Sequence, residues 1–181
     1  RAFFTAWERL KPKFIAEEPI SNVVSSETRW YQTIKVPLTT ANDQTVQLLG
    51  VATDITERKR AQDHLEEQRN FLRQVIDLDP SFIFAKDESG RFVLVNKALA
   101  DAYGSTPEEM VGKYDEDYNP KRSETEHFRH DDIEVVRSCQ PKFIAEEPVS
   151  NAVTSETRWY QTIKVPLITA DQTVQLLGIA T

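Results

Sequence analysis

Asp54 and Thr56 place a carboxylate and a hydroxyl two residues apart, where an apolar run ends and a charged segment begins. That change of composition predicts a strand followed by a helix. At such a junction, the two side chains can cap the helix and tie it to the sheet through hydrogen bonds. Asp54 and Thr56 are therefore the first candidate functional residues of the sequence.

His127 and His130 lie three residues apart, beside Glu126 and Asp131. On one face of a helix, such side chains could bind a metal ion or a haem iron. The surrounding sequence is strongly polar, whereas a haem ligand has to face apolar surface. We therefore predict a solvated helix surface at these histidines, and no metal site.

Other features that could support catalysis are weak. His64 lies in a segment faintly like a kinase phosphoacceptor site, but no proline follows it and the sequence contains no ATP-binding segment. No glycine-rich phosphate-binding loop is present. Glu146 and Glu147 are neighbours on a predicted strand, where their side chains would point to opposite faces. We expect the chain not to be an enzyme.

The composition also argues against several other classes of function. A net charge of −7 and an isoelectric point near 5.1 argue against nucleic-acid binding, which needs a basic face. No apolar run approaches the roughly 18 residues of a membrane span, so we expect no direct membrane contact. The single cysteine, Cys139, predicts a reducing, cytoplasmic setting, which a membrane-anchored receptor's cytoplasmic part would share. Because the only methionine is Met110, we expect a fragment of a longer polypeptide.

A long internal repeat dominates the sequence. Residues 11–53 and 140–181 align at 42 positions when Asn42 is left out, and 36 of these are identical. The period of about 129 residues is too long for a solenoid unit and fits a small domain with its linker. The chain is therefore predicted to begin inside one domain and to end at the matching point of the next.

Each repeat contains three short apolar stretches separated by polar segments, which predicts three strands. In the middle strand of the second copy, alternation gives one mainly apolar face and one mixed face. This pattern predicts an antiparallel sheet with one face in water. The apolar face contains Trp159, Gln161, Ile163 and Val165, and the mixed face contains Tyr160, Thr162 and Lys164.

Asp54–Leu78 contains neither glycine nor proline and is rich in helix formers. A seam with 4-3-4-3 spacing predicts a parallel two-helix dimer, although a single amphipathic helix packed on its own domain fits the same pattern. The seam consists of Ala61, Leu65, Gln68, Leu72 and Val75. The predicted organisation is a half domain at 1–53, a signalling or linker helix at 54–78 and a second domain at 79–181.

The segment between the helix and the second repeat predicts a hairpin and three helices. Ser81–Lys86 and Arg91–Asn96 flank a turn, and Ser123–Ser138 is the longest of the helices. With the three strands of the repeat, the order is β-β-α-α-α-β-β-β after a leading helix. The fold class is therefore α+β, in a domain of about 110 residues.

This order of elements resembles the PAS sensor family. The likeness is carried by Phe82–Asp87 with Gly90–Asn96 for the first hairpin, by Ala98–Gly104 and Thr106–Lys113 for the early helices, and by Gly50–Lys59 for the last strand and its Asp-Ile-Thr junction. The resemblance implies a five-stranded antiparallel sheet with helices on one face, and usually a homodimer through the flanking helices. Such modules bind a small ligand or mediate dimerisation in histidine kinases, cyclic-dinucleotide enzymes and transcription regulators.

The resemblance also implies a function. We expect a sensory module that senses a small ligand or relays a conformational signal, through Asp54 and Thr56, to an output domain outside this chain. A ligand-free dimerisation and spacer module is the alternative. Cys139 follows the long helix, unlike the reactive cysteine of flavin photosensors, so we expect neither flavin nor haem. The candidate pocket residues are Phe82, Phe84, Tyr103, Met110, Tyr114, Phe128, Phe143, Ile163 and Leu177.

The half domain at 1–53 poses a problem of stoichiometry. Each chain has one N-terminal half and two nearly interchangeable C-terminal halves, so exchange between chains cannot complete them all. An apolar stripe at helical spacing is predicted to cover part of the exposed sheet, and the remainder is predicted to favour a homodimer or higher oligomer. The stripe consists of Phe3, Phe4, Trp7 and Leu10.

Overall fold

A computed structural model of the chain describes residues 11–21, 26–39 and 46–181. The chain divides into two compact units, residues 1–69 and 70–181. The predicted apolar stripe of Phe3, Phe4, Trp7 and Leu10 lies outside the described residues.

The first unit contains a three-stranded antiparallel sheet with the order β1-β2-β3. Its strands are β1 (Lys13–Ser21), β2 (Thr28–Thr39) and β3 (Val46–Asp54). Helix α1 (Thr56–Leu78) follows directly, and the boundary between the two units falls within it.

The second unit contains a five-stranded antiparallel sheet with the order β5-β4-β8-β7-β6 and four short or medium helical segments. This arrangement confirms the predicted α+β class with its antiparallel five-stranded sheet. The elements are β4 (Phe82–Lys86), β5 (Phe92–Val95), α2 (Lys97–Ala102), α3 (Pro107–Met110), a 3-10 turn (Asp115–Asp117), α4 (Arg122–Ser138), β6 (Lys142–Ser150), β7 (Thr157–Ile168) and β8 (Val174–Ala180).

The hydrophobic core of the second unit lies between the sheet and its helices. Asn96 is fully buried at the edge of this core, where its amide Nδ2 donates to the carbonyls of Ile76 and Ser81 at 3.0 and 2.8 Å. Its Oδ1 accepts from the amide of Leu99 and so caps α2. The buried apolar residues are Phe82, Phe92, Val95, Leu99, Ala100, Tyr103, Met110, Phe128, Val149 and Ala180.

The two copies of the repeat form the same strands in the same register. In both sheets a bulge interrupts the first pair of strands, between Ile15 and Glu18 in one and between Ile144 and Glu147 in the other. Their burial differs, because Leu48 is 67% exposed whereas its counterpart Leu176 is fully buried. The repeat sequence therefore specifies the sheet, and the segment packed on it decides which side chains are buried.

Candidate functional site

Four charged side chains meet inside the second unit, between the sheet and α4. The ammonium group of Lys86 lies 2.6 Å from Asp115 Oδ2 and 2.7 Å from Asp132 Oδ2. Lys164 Nζ lies 2.7 Å from Asp132 Oδ1. We call these four residues the buried charge network, because both lysines are about 1% exposed.

Strand alternation brings the two lysines to this position. Lys86 shares the inner face of β4 with Phe82 and Phe84, and its ammonium group lies 5.0 Å from the ring centroid of Phe84. Lys164 shares the inner face of β7 with Thr162, which is fully buried. Paired and hydrogen-bonded charges are the form in which ionised groups are tolerated in a protein interior.

The network changes the pKa of Asp132 and of Lys86. Burial alone would raise the pKa of Asp132, but the ammonium groups of Lys86 and Lys164 outweigh burial and hold this pKa below its ordinary value. Burial alone would lower the pKa of Lys86, but the carboxylates of Asp115 and Asp132 raise it well above its ordinary value. These groups are therefore charged at neutral pH.

The network and its apolar neighbours fill the space beneath the helices. The remaining cavity has a volume of about 20 Å³, which is room for about one water molecule. A pocket for a small organic ligand usually has a volume of about 300–1,000 Å³. The cavity is bordered by Phe82, Phe84, Lys86, Leu99, Tyr103, Asp115, Phe128, Glu147, Val149, Lys164 and Ala180.

Four of the nine predicted pocket residues border this cavity: Phe82, Phe84, Tyr103 and Phe128. Tyr103 is stacked on the ring of Tyr118 with 6.2 Å between ring centroids, and burial raises the pKa of its phenol. Met110 is fully buried in the same hydrophobic core.

The predicted pocket residues Phe143, Ile163 and Leu177 do not border this cavity. Phe143 is 65% and Ile163 is 42% exposed. Leu177 pairs with Ala85 across the sheet, on the face opposite to the buried Leu176. The physical reason is that the charge network places the mixed face of the strands against the helices, so the apolar face of β7 points outward.

Tyr114 also lies outside the interior. It borders a separate open cleft of about 260 Å³, formed by the β4–β5 turn, the 3-10 turn and α4. The guanidinium group of Arg91 lies 4.4 Å from the centroid of the Tyr114 ring. The cleft carries both charge signs, since Asp87, Glu116, Arg129 and Arg137 border it.

Asp54 and Thr56 lie in the first unit, at the start of α1. Asp54 Oδ1 accepts from the Thr56 amide at 2.9 Å. Hydrogen bonding from Thr56 lowers the pKa of the Asp54 carboxyl. Thr56 Oγ1 accepts from the Trp30 amide at 2.9 Å, and the Trp30 carbonyl accepts from the Ile55 amide at 2.8 Å. The beginning of α1 is therefore bonded to β2 through buried Thr56.

The histidines and the cysteine have different surroundings. His127 Nε2 lies 3.4 Å from Asp131 Oδ2, whereas His64 Nε2 is hydrogen-bonded to Gln68 on α1 at 3.0 Å. Cys139 is exposed and ends α4 in a left-handed conformation, with φ of 51°.

The two lysines, Asp115, Asp132 and Glu147 were not among the site residues predicted from the sequence. The sequence signal that could have identified the lysines was strand alternation, because Lys86 and Lys164 each lie on the same face of their strand as buried residues. Their acidic partners are distant in sequence and could not be assigned without the fold. Within the described residues, no helix has the length and apolar character that crossing a membrane requires.

Comparison with known proteins gives one family and several relatives. The family model described as PAS fold matches residues 76–181. The virulence sensor protein BvgS of Bordetella pertussis is 41% identical over 59 residues, which are 33% of this chain and 5% of that protein. The chain thus covers only a small part of this relative's length.

Two solved structures resemble the chain in fold. The PAS domain of a protein from Colwellia psychrerythraea is 22% identical with a TM-score of 0.51, over 65% of this chain and 95% of that domain. The PAS domain of an HTR-like protein from Haloarcula marismortui is 17% identical with a TM-score of 0.52, over 68% and 98% respectively. With a family match that spans more than half of its residues, the chain belongs to the PAS fold family.

Proposed function

We propose that the chain is a tandem PAS signal-transduction segment that relays a conformational signal through α1 to an output domain outside this chain. The observation that carries the proposal is the interior filled by the buried charge network, which leaves about 20 Å³ for a ligand. In this proposal the segment is cytoplasmic, has no enzymatic activity and forms a homodimer or higher oligomer. The output domain belongs to a sensor histidine kinase of a two-component system or to a cyclic-dinucleotide enzyme.

The relatives and the repeat support this proposal. BvgS is named a virulence sensor, which favours a sensory role for a chain that shares 41% identity with part of it. The identical strand register of the two repeats favours two PAS modules in tandem.

The hydrogen bonds of α1 support a relay. Its first residue, Thr56, accepts from the Trp30 amide of the first unit, and its Ile76 carbonyl accepts from Asn96 in the second. Thr56→Val is expected to remove the partner of the part-buried Trp30 amide and to speed hydrogen exchange at Trp30 and also at Ile76–Ser81. Thr53→Val is the matched control, because the Thr53 side chain is exposed on the preceding strand.

Hydrogen exchange monitored by mass spectrometry measures this effect. Faster exchange at both ends of α1 in Thr56→Val, but not in Thr53→Val, is the result expected of a relay. An effect confined to Trp30 would contradict the relay and favour a passive spacer.

Native mass spectrometry before and after denaturation tests the proposed function. We expect a dimer or larger oligomer whose mass is that of the polypeptide alone. A released small molecule in stoichiometric amount would contradict the filled interior and make the chain a ligand sensor. Leu72→Glu, on the exposed seam of α1, is expected to yield monomer, whereas Asn70→Glu, off the seam, is expected to preserve the oligomer.

A ligand-free dimerisation and spacer module is the second candidate. It is favoured by apolar side chains that are exposed on the outer sheet face and on α1. Trp159 is 66%, Phe143 65%, Leu65 68% and Leu72 62% exposed. Burial of these groups between two copies would stabilise a dimer without any signal.

A further inference from the structure

Two buried carboxylates each have one oxygen without a hydrogen bond. Asp131 and Glu147 are 1% and 3% exposed. Asp131 Oδ1 accepts from Lys142 Nζ at 2.8 Å, and Glu147 Oε2 accepts from the hydroxyl of Thr162. Among the described residues, Asp131 Oδ2 and Glu147 Oε1 have no hydrogen-bond partner. Buried carboxylate oxygens are rarely left in this state, so these two atoms require an explanation.

A histidine completes the group. His127 and Asp131 are four residues apart on one face of α4, and Glu147 lies on β6. A nitrogen of His127 and one oxygen from each carboxylate all lie within 4.8 Å of one another. The ring nitrogen Nε2 is 3.4 Å from Asp131 Oδ2. Ligand atoms about 2.0–2.1 Å from a tetrahedral zinc ion are roughly 3.3 Å apart, so this separation already suits a bound ion.

The charge around the group favours a divalent cation. The five carboxylates and three ammonium groups here form two ion-paired groups, and each group has one more carboxylate than ammonium group when all are ionised. Lys164 Nζ is the nearest cation to Glu147 Oε1, at 3.6 Å, which is longer than a hydrogen bond. The first group consists of Asp115, Asp132, Glu147, Lys86 and Lys164, and the second of Asp131, Glu134 and Lys142.

We propose that His127 Nε2, Asp131 Oδ2 and Glu147 Oε1 form a binding site for a divalent transition-metal ion of the zinc class. Imidazole and carboxylate donors suit such ions, and three protein ligands leave a fourth position for water. The side chain of His127 is 52% exposed, which gives the ion and its water a route from solvent. A bound ion would tie α4 to β6. The inference is independent of the proposed function.

A neighbouring group provides the control. His130, Asp131 and Glu134 also lie close together, but Lys142 Nζ is 2.8 Å from Asp131 Oδ1 and 2.6 Å from Glu134 Oε2. The ammonium group already forms ion pairs with both carboxylates of that group. His130 is thus an exposed histidine on the same helix that the proposed site does not use.

Calorimetric titration of the metal-free full chain with Zn²⁺, without a polyhistidine tag, tests the proposal. We expect one Zn²⁺ per chain, and an affinity that His127→Gln and Glu147→Gln each weaken about tenfold or more. His130→Gln is expected to bind as the unaltered chain does. Circular dichroism verifies folding, and His127→Gln decides the test if Glu147→Gln unfolds. No binding by the unaltered chain, or equal losses in His127→Gln and His130→Gln, would overturn the proposal.

Discussion

Replacing Lys164 with methionine is expected to lower the free energy of unfolding of the second unit by roughly 3–5 kcal/mol. Methionine has nearly the same length, so the main change is the loss of the ammonium group. That loss leaves Asp132 Oδ1 without its partner at 2.7 Å and Glu147 Oε1 without its nearest cation. Removing one member of a buried pair is costly because the remaining charge is buried without compensation.

Lys35 provides a matched control for Lys164, because it occupies the same position in the first copy of the repeat. It is only half-buried, and it makes no ion pair with any other described residue. Lys35→Met is therefore expected to change stability by less than about 0.5 kcal/mol. Equal effects of the two substitutions would contradict the argument that burial of the network determines the loss.

Because the chain has two compact units, the measurement has to distinguish them. Hydrogen exchange of the segment Phe82–Lys86 under increasing urea reports on the second unit, since this segment has no counterpart in the first copy of the repeat. Lys164→Met is expected to shift the unfolding transition of this segment to lower urea concentration, and Lys35→Met is expected to leave that transition unchanged.

The same network predicts a response to acid. The pKa of Asp132 is lower in the folded chain than its ordinary value of 3.8. Its contribution to stability is thus fully present above pH 3.8 and is lost as the pH falls through the lower, folded-state pKa. Removal of the Lys164 ammonium group lessens that lowering. The stability of Lys164→Met is therefore expected to fall less steeply below pH 4 than that of the unaltered chain.

The sequence was informative wherever the interacting residues are close together along the chain. The bond between Asp54 and Thr56 lies within one turn of the start of α1, and five residues connect β4 to β5 in the hairpin. The three strands of the repeat followed from alternation and polar breaks. These features depend on local composition, which a single sequence displays directly.

The orientation of the repeat's sheet could not be obtained in the same way. Alternation separates the two faces of β7, but it does not say which face the helices cover. The apolar face containing Ile163 was the obvious candidate for burial, yet the face with Thr162 and Lys164 is buried. The determining partner is Asp132, 32 residues away on α4, and only the folded chain brings the two together.

The candidate metal site could not be predicted from the sequence for the same reason: its residues are brought together only by the fold. Glu147 was excluded from catalysis because its neighbour Glu146 points to the opposite strand face. The residues that lie near Glu147 are Asp131 and His127, since one oxygen of Glu147, one oxygen of Asp131 and one nitrogen of His127 are within 4.8 Å of one another. A group assembled from a helix and a strand has no spacing in the sequence that could identify it.

The identical repeats nevertheless give an experiment that few proteins offer. Gly50 and Gly178 have the same neighbours in sequence, apart from Val51 and Ile179. A Cβ atom added at Gly178 would come within 2.8 Å of three ring atoms of Phe84, whereas one added at Gly50 would meet no described atom within 4 Å. The same substitution thus tests two different environments in one chain.

Gly178→Ala is expected to destabilise the second unit by about 1–3 kcal/mol, because the Phe84 ring has to move within a packed interior. Phe92 lies edge-on to that ring at 6.2 Å, and Lys86 lies 5.0 Å from its centroid, so there is little room for the movement. Gly50→Ala is expected to be neutral or to stabilise the first unit by about 0.5–1 kcal/mol, because alanine restricts the unfolded chain more than glycine does. The two substitutions should therefore change the free energy of unfolding in opposite directions or by clearly different amounts.

Hydrogen exchange of Leu48–Asp54 and of Leu176–Thr181 measures both effects, since the first peptide also contains Asp54 and the two peptides therefore differ in mass in both variants. Phe84→Leu in the Gly178→Ala background should recover part of the loss, because the smaller side chain removes the contact. Equal destabilisation at both glycines would contradict the prediction. It would mean that in solution a strand equivalent to β4 packs against β3 as well, so that both copies of the repeat are covered by a partner.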